Sequence, residues 1–213
     1  MKHLDRLNHG LLAAFSRQIC AHNAPLDRHS VRVANLAVGI GGELGLDSSA
    51  LVSLQWAGQL HDLGKTTLAT SLLMKTGPLD EVEWTQVERH PVVGYELVVE
   101  ASPESYDMAL AIRSHHERWD GLGYPHNLRG EEIPHLGRIV AIADVYDALT
   151  SDRPYRSKPY EHRTAVDLIT AESESHFDPA VVDAFLALER RGLVRSEHGG
   201  GSASADTDRA ISA

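Results

Sequence analysis

The sequence predicts an all-α fold, a bundle of amphipathic helices around one core. Three observations carry that prediction. Apolar residues recur at three- and four-residue spacing along most of the chain, helix start signals precede those stretches, and no run alternates polar with apolar residues as a half-buried strand would. A chain of 213 residues with 42% hydrophobic content is long enough to fill a single sizeable core.

Each element has its own signals. Residues 1–25 include Leu11-Leu12-Ala13-Ala14-Phe15, an apolar helical extension suited to packing on the domain or to forming a homodimer. Residues 26–195 make the main domain. There Val33, Ala37, Ile40 and Leu44 continue a helical stripe behind His29, and Leu51, Leu54, Gly58 and His61 form another behind the N-cap Asp47, which turns His61 inward. Asp80 with Glu83 reads as a capping box opening a helix towards His90, where Pro91 either ends it or starts the next one. Ser102-Pro103 reads as an N-cap and N1 proline, opening a helix through Met108, Ala111 and Ile112 to His115 and His116. Gly121, Gly123, Pro125, Asn127, Gly130 and Pro134 make the stretch from Trp119 to Pro134 a loop, a candidate lid or binding edge. Leu136, Ile139, Val140 and Ala143 resume a helix that carries Asp144 and Asp147 on one surface. Two further C-terminal helices are expected, near Tyr160–Ala171 and after Asp178-Pro179. Residues 196–213, rich in Gly, Ser and Ala, are expected to be a disordered tail.

A formal charge of -10, from 30 acidic and 20 basic residues, argues against binding long nucleic acid or an anionic membrane. No apolar run of membrane-spanning length and no signal peptide is present, and the single cysteine, Cys20, fits a reducing compartment as a small buried residue; a cytoplasmic protein is expected. There is no Gly-x-Ser-x-Gly elbow, and Gly39-Ile40-Gly41-Gly42 lacks the spacing and the Lys-Ser/Thr of a phosphate loop.

The chemistry lies in the pairs His61-Asp62 and His115-His116. An imidazole beside a carboxylate whose second oxygen can reach another cation, with a distant histidine pair for that cation, suits a two-metal hydrolytic site. His29, His90 and Asp144 join them at helix ends or on inward faces, and this set is too large for one zinc. Either pair taken alone also fits a hydrogen-bonded core histidine or a helix cap; their conjunction with Gly64-Lys65 and the Gly-Tyr-Pro loop favours metal. His3, His9, His22, His126, His135, His162, His176 and His198 are expected to be surface or capping residues.

His61-Asp62-Leu63-Gly64-Lys65 together with His115-His116-Glu117-Arg118-Trp119-Asp120-Gly121-Leu122-Gly123-Tyr124-Pro125 resembles the HD-GYP family of the HD phosphohydrolase superfamily. The likeness runs from about His29 to Phe185 and includes His90-Pro91-Val92-Val93-Gly94 and Ser151-Asp152-Arg153-Pro154-Tyr155-Arg156. It implies an HD-domain helical bundle with a Gly-Tyr-Pro loop, and a bacterial signalling hydrolase that opens cyclic di-GMP to pGpG and in some members continues to GMP. By position it implies that His29, His61, Asp62 and Asp144 bind one metal, with Asp62 bridging to a second held by His90, His115 and His116. The metals are usually iron or manganese. A third ion in some members uses a glutamate where this chain has Pro25, so two divalent ions are expected.

Such a site implies attack by a metal-bridging hydroxide. Lowering the pKa of water from about 15.7 to about 7 is worth roughly 12 kcal/mol in nucleophile availability. Asp62 and Lys65 are the expected catalytic residues, Lys65 acting on a phosphate oxygen or the metal-bound water. Tyr124, Asp147, Arg153 and Arg156 are the expected substrate contacts, the arginines on guanine edges or phosphate, and Asp147 either on guanine or orienting an arginine. Glu117, Arg118 and Asp120 are expected to support the site or fix the loop. The alternatives are an HD-type phosphohydrolase for another nucleotide or a phosphonate, and a noncatalytic cyclic di-GMP-binding scaffold. The chain has no room for an ordinary sensor domain beside the catalytic region, so regulation is expected to come from elsewhere, such as a regulatory protein partner, or the chain is a truncation of a longer protein.

Overall fold

The computed structural model describes residues 24–75, 77–152 and 158–194. The expected N-terminal extension (residues 1–25, all but its last two), Cys20, the C-terminal tail, Arg153 and Arg156 lie outside them. Within the described residues the secondary structure is helical, with a single isolated bridge between Ser173 and Phe177. The α-helices are α1 (Ala24–Glu43), α2 (Ser48–Leu60), α3 (Thr70–Leu73), α4 (Glu81–Val87), α5 (His90–Ala101), α6 (Tyr106–Ser114), α7 (His135–Thr150), α8 (His162–Ala171) and α9 (Pro179–Arg190).

Their ends obey local chemistry. Asp47 caps α2 by accepting from the Ala50 amide at 2.9 Å, and Asp178 caps α9 by accepting from the Ala180 amide at 2.8 Å. The Asp80–Glu83 capping box forms, but α4 stops at Val87, and Pro91 sits in the first turn of a new helix, α5. Ser102 bonds Glu104 and Ser105 rather than capping α6, and Pro103–Ser105 is a 3-10 turn ahead of that helix. The helix carrying His61 ends at Leu60, so Lys65 rides on a 3-10 turn, Leu63–Thr67, and not on a continuing α-helix.

Helix α1 packs on α2, α7 and α9, while α6 packs on α5, α2 and α7. The expected stripes face the core: Val33, Ala37, Ile40 and Leu54 are closed to solvent, Leu44 and Leu51 are partly buried, and with Ile112, Ile139, Ile142, Leu149 and Phe185 the closed residues form one continuous core. Burying each of the larger of these side chains contributes about 1.5–3 kcal/mol, against about 1 kcal/mol for a typical helix cap. The inward ends of α2 and α6, the start of α5 and the flanks of α1 and α7 meet at one place, and the predicted ligands lie there. Among the described residues no helix is long and apolar enough to cross a membrane.

Candidate metal centre

Five chain segments supply the centre. His29 comes from the first half of α1, His61 and Asp62 from the end of α2, His90 from the start of α5, His115 and His116 from the end of α6, and Asp144 from α7. Ligand atoms fall within 4.8 Å of one another in three overlapping sets: His29, His61 and Asp62; His61, His115 and Asp144; and His90, His115 and His116. All are buried except His116, which is partly exposed.

Asp62 lies between the sets. Its Oδ2 is 3.6 Å from His61 Nε2, and its Oδ1 is 3.4 Å from His90 Nε2. Lys65 Nζ reaches both oxygens, at 2.8 and 2.9 Å, yet Oδ1 makes no hydrogen bond of ordinary geometry although it is buried. Asp144 Oδ1 is 3.3 Å from His29 Nε2 and 3.7 Å from His61 Nε2.

The imidazole tautomers are fixed from behind. His61 Nδ1 donates to the Gly58 carbonyl at 2.8 Å, His90 Nδ1 to Val87 at 2.8 Å and His115 Nδ1 to Ile112 at 2.7 Å. A carbonyl only accepts, so each Nδ1 carries the proton and each Nε2 presents a lone pair inward. Nε2 of His90 and Nε2 of His115 face each other at 3.4 Å with no proton between them, and His61 Nε2 lies 3.3 Å from His29 Nε2. The opposed lone pairs of His90 and His115 and an unsatisfied buried carboxylate oxygen fit a cation between them.

Electrostatics agree with that fit. Burial, and then Lys65, lowers the pKa of His90 well below its usual value; burial, and then His61, lowers His115 to about 4; burial and then His115 lower His116. Burial, the largest single influence, would raise Asp62 and Asp144, but Lys65 together with His61, His90 and His29 outweighs it at Asp62, and His61 and His29 together outweigh it at Asp144, so both carboxyls are held well below the usual range. Neutral imidazole and ionised carboxylate are the forms a metal requires. His29 differs: burial would lower it, but bonds to Asp144 and Asp147 raise it to about 9.

Gly64 allows the His-Asp turn to seat. A Cβ there would lie 2.0 Å from the His90 carbonyl oxygen, so only glycine lets this turn press on the start of α5.

The Gly-Tyr-Pro loop folds back on the centre. Buried Glu117 accepts from the amides of His126 at 2.7 Å and Leu128 at 3.0 Å, and the Tyr124 amide donates to the His116 carbonyl at 3.1 Å. Tyr124 therefore stacks on His116, ring centroids 4.7 Å apart and planes 23° from parallel, with one face already occupied. Trp119 and Asp120 donate backbone bonds to the carbonyls of His176 and Ser175. Arg118 is held by Asp120 and donates to His176 Nδ1 at 2.9 Å.

Asp147 and His176 both take up buried positions. Asp147 lies behind His29, where it accepts from Arg32 Nε at 2.5 Å and meets His29 Nδ1 at 2.7 Å. His176 is no surface histidine but a buried loop anchor. Sequence reasoning left out Arg32 as a site residue, although its place three residues after His29 on one helix face was the available signal.

The sequence profile of the HD domain family matches residues 13–181. A cyclic di-GMP phosphodiesterase of Vibrio cholerae serotype O1 is 43% identical over 145 residues, which is 65% of this chain and 29% of that protein. A 3'3'-cGAMP-specific phosphodiesterase 2 of the same organism is 36% identical over 174 residues, 81% of this chain and 32% of that protein. Among solved structures, an HDG"Y"P protein of Bdellovibrio bacteriovorus matches 86% of this chain and 63% of its own with TM-score 0.63 and 17% identity, a likeness of fold. The chain thus spans less than half the length of either Vibrio protein. From the profile match over most of its length, on a helical fold that gathers histidine and aspartate ligands at one point, the chain belongs to the HD domain family, as its HD-GYP-like motifs implied.

Proposed function

We propose that the protein is a cytoplasmic phosphodiesterase that hydrolyses cyclic di-GMP to pGpG or on to GMP, using two divalent ions of iron or manganese. The observation that carries this reading is the position of Asp62, whose two oxygens face His61 on one side and His90 on the other, at the junction of two groups of inward imidazoles. His29, His61, Asp62 and Asp144 would hold one ion, and His90, His115 and His116, with Asp62, the other. Ions held there would supply acidified water and would neutralise charge gathering on the phosphodiester.

The remaining work falls to the chain. Lys65 lies against Asp62 with its side chain partly exposed, so its ammonium can leave one carboxylate oxygen for a phosphate oxygen when substrate arrives. Tyr124 bounds the centre with its ring on His116 and offers its free face to a base. Burial raises the phenol pKa, keeping the hydroxyl protonated as a donor to phosphate. Arg153 and Arg156 would take guanine edges or phosphate.

The test is anaerobic turnover by metal-analysed protein loaded with ferrous iron or manganese, with cyclic di-GMP and 3'3'-cGAMP supplied separately. Metal-dependent pGpG or GMP from cyclic di-GMP at the higher kcat/KM supports the reading. Preference for 3'3'-cGAMP would move the substrate to that of the second Vibrio relative, and binding without turnover would make the protein a receptor.

A further inference from the structure

His29 solves the tautomer problem differently from its neighbours. His61 and His115 directly follow the last turns of α2 and α6, and His90 opens α5; each finds a backbone carbonyl three residues earlier that the helix leaves available. His29 lies within the 20-residue α1, where a helical carbonyl is already engaged by the amide four residues on. Its Nδ1 instead meets Asp147 Oδ2, 118 residues away in sequence, at 2.7 Å.

Asp147 is itself clamped. Arg32, one helical turn beyond His29, donates from Nε to Oδ1 at 2.5 Å and from Nη2 to Oδ2 at 3.0 Å, while the same Nη2 donates to Ser151 Oγ at 3.0 Å. Ser151 Oγ in turn donates to Asp147 Oδ2 at 3.2 Å. A carboxylate in such a two-pronged ion pair is ionised and only accepts, so Nδ1 of His29 is the donor and Nε2 is left facing Asp144 and His61.

We propose that Arg32 and Asp147 form a positioning relay that fixes His29 with its Nδ1 protonated and its Nε2 aimed at the metal. The inference rests on the metal-centre reading above and adds two residues to it, neither touching the reacting atoms. Asp147 is thereby a support for a ligand and not a reader of guanine. The clamp also joins α1 to the C-terminal end of α7, so the orientation of one ligand depends on how these helices pack.

Zinc titration monitored by calorimetry, with 15N NMR of the histidine rings in the zinc-loaded protein, tests this without using turnover. In the wild type, His29 should show a slowly exchanging Nδ1 proton. Asp147→Ala should lose it and weaken one zinc equivalent by roughly 10–100-fold, the usual effect of removing a partner behind a metal-bound histidine. Arg32→Ala should weaken the same equivalent, and Arg32→Lys should recover part of the loss. The isosteric Asp147→Asn keeps an acceptor but loses the charge pair, so it serves where the alanine variant does not fold and should show a smaller loss at that equivalent. Unchanged affinity and an unchanged Nδ1 proton in Arg32→Ala and Asp147→Asn would overturn the relay, even if the variants melt earlier. If the wild type takes up no zinc or manganese, the metal reading itself falls, and the same ring spectra of metal-free protein in alkaline buffer still decide the relay.

Discussion

Arg118 donates to Nδ1 of His176, so the folded loop requires His176 as a neutral ring. Burial, and then the Arg118 guanidinium, pushes its pKa down to about 3, against about 6.5 in the unfolded chain. Between those values the unfolded chain binds the proton and the folded chain does not. Stability present above pH 6.5 is therefore lost progressively as pH falls towards about 3. From pH 6.5 to 5 the loss from this residue is about 1.5 kcal/mol. Denaturant unfolding at the two pH values measures it: His176→Gln, which can still accept from Arg118, should be less acid-sensitive by about that amount, and an identical pH response in both proteins would discount the anchor. From the sequence His176 looked like a lone surface histidine, because its partner stands 58 residues away and no local pattern links them. The His61-Asp62 and His115-His116 pairs were legible for the opposite reason, since adjacency itself marked them. The contact between Asp147 and His29 was not legible, because the two stand 118 residues apart.

At the scale of elements, helix starts were readable wherever a side chain acts on amides a few residues away. Asp47, Asp80 and Asp178 all cap as local rules require. Stops were less readable: α2 ends at Leu60 and α4 at Val87 because the chain must turn beyond each, so that Asp62 and His90 face each other. The His-Asp turn and the start of α5 touch through Gly64, where a Cβ would fall 2.0 Å from a backbone oxygen that cannot move aside without shifting His90. Gly64→Ala should therefore cost about 1–3 kcal/mol by overpacking and lower the metal content of the purified protein. Chemical denaturation and elemental analysis give both readouts. A variant of full stability and full metal content would mean that the turn and α5 are not rigidly coupled.

For the whole molecule, helical periodicity showed which faces are apolar but not which face meets which. That pairing depends on the long-range packing of α1 with α7 and α9 and of α6 with α2, and it decides whether ligands converge. The ligand set draws on five helical segments, so cations bound there would act as clips between parts of the chain far apart in sequence. Metal binding to the folded state alone should raise its stability by about 2.7 kcal/mol at a free concentration 100 times Kd. In a chain of this size that is a Tm rise of roughly 5–10 °C. Thermal unfolding with and without manganese, after chelation and dialysis, measures the effect. Asp62→Ala supplies the control: it removes the carboxylate whose two oxygens face His61 and His90, so its Tm should respond much less to manganese and the proposed phosphodiesterase turnover should disappear. An equal manganese-induced rise in that variant would place the stabilising ion elsewhere and remove Asp62 from the centre of the site.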